Sequence, residues 1–201
     1  MKALGKGSIA AWVQIALMVA WVCLWIAAAA LVLAAVGYGV LLALIANGSV
    51  DPSVLTGGDG QIRLGDEGGG SFQVSYDEPG GATWPVVVPG LLIGAVAVAG
   101  ALIIVWRLRK LFDSFTSGEP FRRENARHLR VIWITMLVIE LSRYALLGLT
   151  AALLVNFEPD IDADFRISLD ISTWGSILIL IVLAEVFREG ARLKEEQELT
   201  I

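Results

Sequence analysis

Four apolar runs separated by polar segments of contrasting charge organise the 201-residue chain. Ile9–Ala46 carries no charged residue, and further apolar runs cover 86–106, 131–155 and 174–187. Uncharged stretches of this length read as membrane-crossing helices, so the pattern predicts four spans, at 12–46, 86–106, 131–155 and 174–187. The expected fold is an all-α membrane protein with four transmembrane helices. At 57 Å or so of helix against a hydrocarbon core of roughly 30 Å, the first run is longer than tilt absorbs. Nothing near Ala27–Ala30 offers turn chemistry for a hairpin, so its end, Leu41 to Ala46, is expected to project beyond the bilayer. Lys2 and Lys6 precede a run too long for a cleaved signal peptide, which reads as an uncleaved signal anchor.

Between the runs, alternation of apolar and polar residues predicts strands. Ile62 and Leu64, then Phe72, Val74 and Tyr76, flank the glycine turn Gly65–Gly70 as a hairpin, and Phe165, Ile167, Leu169 and Ile171 alternate with polar residues over 164–172. Three strands with one apolar face still need a cover. The expectation is a small extracytoplasmic β-sheet formed by the two outer loops, 47–85 and 156–173, and packed on Leu41, Leu42, Leu44 and Ile45.

Charge assigns the sides. The segment 107–130 holds seven Lys/Arg against three Asp/Glu, whereas 47–85 holds six acids and one Arg, and 156–173 five acids and one Arg. By the positive-inside rule, 107–130 is a cytoplasmic loop, 47–85 and 156–173 are extracytoplasmic, and both termini, with the tail 188–201, are cytoplasmic. A composition of 56% hydrophobic residues and a mean hydropathy of +0.71 exclude an ordinary soluble domain. The net charge of −5 conceals this sorting, and bases sorted by topology give no reason to expect direct nucleic-acid binding. In 117–120, Ser-Gly-Glu-Pro is a stop and restart: Gly ends one helix, Pro opens the next near Phe121.

Little in the chain carries chemistry. No nucleophile–base set, metal cluster or phosphate loop occurs, so neither an enzyme nor a cofactor is expected. Cys23, the single cysteine, lies within the first apolar run and reads as a small hydrophobe. Asp160, Asp162 and Asp164 have alternate calcium-loop spacing, but Phe165 stands where Gly is needed and Ile171 where a bidentate Glu belongs; the loop reads as solvated. His128 is read as a surface residue among arginines. Glu140 and Arg143 stand out near the middle of the third span. Each costs roughly 2.5–3.5 kcal/mol facing lipid alone, so both should point inward and pair at i, i+3. They are read either as a pair fixing helix register or as an ion, proton or ligand site lined by Gln14 and Tyr144. As a transport site the pair requires a homo-oligomer, since four helices with one polar pair leave little room for a pore.

The stretch LAEVFREGARLKEEQELTI at 183–201, with GEPF at 118–121 and ENARHLR at 124–130, resembles the hallmark motifs of a family of small bacterial four-helix membrane proteins, domain-of-unknown-function family 2975. The resemblance implies a bacterial inner-membrane protein. It also implies a cytoplasmic helix-turn-helix transcriptional regulator as a partner besides membrane lipids, because members are often encoded beside one. No activity comes with it. Both motifs fall on the cytoplasmic side of the expected topology. Glu119, Pro120, Phe121, Glu124, Asn125, Arg127 and Arg130 in the linker are therefore expected to share one interaction surface with Glu185, Arg188, Glu189, Lys194, Glu195, Glu196 and Gln197 on the tail. Within that surface Glu185, Arg188, Glu189 and Arg192 are expected to pair with Arg122, Arg123, Glu124 and Arg127, clamping two helical extensions together. The expected roles are a non-enzymatic sensor or anchor, or else a small oligomeric transporter or channel subunit using Glu140 and Arg143.

Overall fold

A computed structural model describes residues 9–55, 61–66, 70–75, 83–116, 122–157, 162–166 and 169–198, the strands by their backbone alone. Four helices dominate: α1 (Ile9–Ala46), α2 (Trp84–Thr116), α3 (Arg123–Phe157) and α4 (Ile171–Glu198). All four are long and apolar enough to cross a membrane, which makes this a multi-pass membrane protein. The first has no polar face. Its half-buried positions, among them Leu17, Trp21, Leu24, Ala28 and Leu31, recur at three- and four-residue spacing, while Trp12, Ile26 and Leu33 point outward with 64–71% exposure. In water such a surface would aggregate; in lipid it is already solvated.

Helix ends show where local chemistry takes over. α1 stops because Gly48 adopts φ +72°, with Gly48 N–H donating to the Ile45 carbonyl (2.9 Å) and Ser49 N–H to that of Leu44 (3.0 Å). This is a Schellman closure, and the left-handed backbone is what glycine supplies without a Cβ penalty. α2 begins at Trp84 rather than after Pro85, because Thr83 caps it: its carbonyl accepts from Val87 N–H at 2.9 Å. Pro89 thereby falls in the second turn, still inside the helix. The carboxylate of Glu124 sits in the first turn of α3, where the helix dipole favours it.

Extended backbone occurs at β1 (Gln61–Asp66), β2 (Gly70–Ser75) and β3 (Asp162–Arg166). They pair antiparallel in the order β1-β2-β3, with Ile62 opposite Val74, Leu64 opposite Phe72, and Phe72 opposite Phe165. The strand expected over 164–172 requires correction. Among the described residues β3 covers Asp162–Arg166, and Ile171 and Ser172 already belong to α4. Asp170, immediately before the first helical residue, is a favoured cap, and alternation alone does not register a cap. Of the residues expected to carry the sheet, Leu41 and Ile45 are half-buried but Leu42 and Leu44 are exposed. Tyr76, Asp160 and Ile167 lie outside the described residues, as do Glu119, Pro120 and Phe121.

The chain divides into two compact units, Met1–Ala27 with Val98–Ile139 and Ile171–Ile201, and Ala28–Ala97 with Glu140–Asp170. In the first, α2, α3 and α4 close around Leu111, Leu129 and Ala184, with Leu108, Phe115, Trp133, Leu180 and Phe187 packed against them. Phe115 meets Phe187 edge-on at 6.0 Å. Gly100 lets α2 approach α3: a Cβ there would lie 2.6 Å from Ile139 Cγ1 and 3.3 Å from Thr135 Cγ2. In the second, the Tyr38 and Thr83 hydroxyls share a 3.1 Å hydrogen bond, and Trp84 meets Phe157 edge-on at 5.0 Å.

Candidate functional site

The charged ends of α2, α3 and α4 converge above the Leu111–Leu129–Ala184 cluster. α3 is anchored there by Asn125, which is 1% exposed. Its Nδ2 donates to Ser114 Oγ on α2 at 2.6 Å, and that hydroxyl donates onward to the Leu111 carbonyl at 2.8 Å. Asn125, expected on the interaction surface, is thus held in the contact between α2 and α3 and reaches only the wall of a hollow described below; a polar residue within a charged run looks external until its neighbouring helix is placed. Arg123 on α3 forms an ion pair with Glu195 on α4. α1 joins this end through Gln14 Nε2 donating to Asp113 Oδ1 at 3.5 Å, and through Trp21, whose ring lies 5.8 Å from the Arg109 guanidinium.

The clamp expected between α3 and α4 takes a different form. On α4 the charges pair within their own helix: Arg188 with Glu185, and Arg192 with Glu189 (2.6 Å) and Glu196 (3.5 Å). Residues three and four apart face one another at almost no loop cost, so local pairing competes well with pairing across helices. The bridge from α3 to α4 is instead the Arg123–Glu195 pair. Glu124, Arg127, Arg130 and Gln197 are exposed, and Lys194 and Glu195 half-buried.

Two hollows open at this end. One, of about 510 Å³, is lined by Arg107, Lys110, Arg122, Arg127 and His128, with Asp113 and Glu124 opposing them. The other, of about 710 Å³, runs between α3 and α4 from Arg127 and Arg130 to Trp133, Ile134 and Ile181. His128 is more than a surface residue: it is half-buried, and Arg107 Nη1 lies 3.2 Å from its Nδ1. A guanidinium only donates, so Nδ1 must be the acceptor and the ring neutral. Burial first, then the positive charges of Arg107 and Lys110, hold its pKa below the usual histidine value, Glu124 opposing them.

In the second unit Arg143 Nη2 donates to Glu140 Oε1 at 2.7 Å, with side chains 23% and 6% exposed. The pair forms as its spacing implies, and the Arg143 guanidinium carbon lies 5.3 Å from the Tyr144 ring centroid. Arg143 Nε is buried without a hydrogen-bond partner. The residues that sequence reasoning missed are those whose role is relational: Ser114, Arg107, Leu111 and Phe187. Apolar residues of α2 at 108, 111 and 115, recurring at three and four within a basic segment, were the available signal.

A family model described as a protein of unknown function, DUF2975, matches residues 75–201. The chain belongs to this family. The match takes in the whole charged end of α2, α3 and α4, together with Glu140 and Arg143. No curated protein and no solved structure matches the chain.

Proposed function

We propose that this DUF2975 member is a non-enzymatic protein of the bacterial cytoplasmic membrane, with both termini inside, that anchors or releases a cytoplasmic partner at the charged end of its helices. The observation carrying this reading is the Arg123–Glu195 pair, which joins the two family-motif segments into one surface over a shared apolar base. The basic stretch 107–130 supports the inward orientation. In this reading, 47–85 and 156–173 lie outside, and β1, β2 and β3 form a small extracytoplasmic sheet, seated on the last turns of α1, that perceives a signal. The partner class is a small helix-turn-helix regulator. The test is recovery of such a regulator, co-produced with the protein, from membranes carrying the full chain or a chain truncated after Arg188; the truncation should abolish recovery, and unchanged recovery would contradict the reading.

A second reading, a small oligomeric transporter or channel subunit, draws on the burial of Glu140 and Arg143 in an apolar span. Liposome flux lost on replacing both by Leu would favour it, and flux indifferent to the replacement would remove it.

A further inference from the structure

The 710 Å³ groove between α3 and α4 is divided lengthwise by chemistry. One half is lined by Val131, Trp133, Ile134, Ile181 and Ala184; the other carries five arginines and two glutamates. Three of the arginines are already engaged: Arg123 with Glu195, Arg188 with Glu185, Arg192 with Glu189. Arg127 and Arg130 are exposed and have no ion pair among the described residues. They precede Ile134 by seven and four residues, so the three share one face of α3.

That division falls where the apolar run of α3 begins, at Val131, and where that of α4 gives way to charge, at Glu185. A groove with its cationic half just outside an apolar span and its apolar half just inside it sits at the membrane–water boundary. We propose that it is a binding site for a single anionic phospholipid, the phosphate taken by Arg127 and Arg130 and one acyl chain lying along Trp133, Ile134 and Ile181. Charge complementarity selects this occupant: two uncommitted guanidiniums match a phosphate bidentately, while a soluble acidic peptide would leave the apolar half unfilled. The proposal does not depend on the regulator reading.

The test uses the purified full chain in neutral detergent, titrated with fluorescent phosphatidylglycerol or phosphatidylcholine of the same chains. Phosphatidylglycerol should bind more tightly. The Arg127→Gln/Arg130→Gln double variant should weaken it about thirtyfold, or about 2 kcal/mol for two interfacial arginines. Both residues are exposed, so unchanged helicity and elution should accompany the loss. Ile181→Trp, filling the apolar half, should weaken both lipids, whereas Arg109→Gln on α2, outside the groove, should leave the preference intact. Equal affinity for the two lipids, undiminished phosphatidylglycerol binding in the double variant, or displacement by inorganic phosphate at the lipid's own concentration would overturn the proposal.

Discussion

Asn125 Nδ2 donates to Ser114 Oγ across 2.6 Å, joining α3 to α2 at a point where Asn125 is almost wholly buried. An amide there has no water to fall back on, so removing one partner costs more than the bond itself contributes. Asn125→Leu should destabilise the protein by about 1–3 kcal/mol, and Ser114→Ala, which removes the acceptor that the amide uses on α2, by a comparable amount. The double variant should cost less than the sum of the two. Thermal unfolding in detergent, followed by circular dichroism, reads all three; strict additivity would mean that the two side chains do not act together.

Glu140 and Arg143 make a second asymmetric prediction. Breaking a buried ion pair from one side leaves a charge without its partner, at about 3–5 kcal/mol, whereas replacing both with apolar residues is often neutral. Glu140→Leu alone should therefore be poorly tolerated, while Glu140→Leu/Arg143→Leu should recover most of the lost stability. Expression level and melting temperature are the measurements, and a double variant as unstable as the single one would argue against a register-fixing pair.

His128 lies in the charged extension of α3, before the apolar run of 131–155, with its pKa lowered chiefly by burial and then by Arg107 and Lys110. A lowered pKa means that the unfolded chain takes up the proton first. The contribution is thus complete above the unfolded value near 6.5 and is lost as pH falls from there toward the folded value. Melting temperature should fall from pH 7.5 to 5.5 in the wild type and fall less in His128→Gln. Parallel profiles for the two proteins would remove His128 as a source of the pH dependence.

Close approach at Gly100 predicts a packing penalty. Gly100→Val would push branched carbons into Ile139, and overpacking of this kind costs about 1–3 kcal/mol. Gly148, with nothing within 4 Å of the position a Cβ would take, is the matched control: Gly148→Ala should leave the melting temperature unchanged or raised. Equal effects at the two positions would contradict the close approach of α2 and α3 at Gly100.

Four helices were legible from hydropathy because membrane spans need length and little else, and the Glu140–Arg143 pair followed from spacing within one helix. What hydropathy misses depends on chemistry at helix ends. Asn47-Gly48 stops α1 through a left-handed glycine, and Asp170 starts α4 where alternation suggests more strand. At the candidate site, Glu185–Arg188 and Arg192–Glu196 close within one helix at three- and four-residue spacing, where a clamp across helices was expected. The links between helices, Asn125 to Ser114 and Arg123 to Glu195, depend on rotation and register that no single segment encodes. Sequence alone consequently assigns Asn125 to the surface and overlooks Ser114.

Sidedness underlies the proposed role, since the joined charged ends of α3 and α4 meet a cytoplasmic partner only if they face inward. The direct measurement is labelling of intact bacteria with a membrane-impermeant maleimide, in a Cys23→Ala background bearing either Val54→Cys or Arg130→Cys, both positions being exposed. Val54→Cys should react in intact cells and Arg130→Cys only after the membrane is opened. Reaction at Arg130→Cys from outside, with Val54→Cys protected, would contradict the orientation.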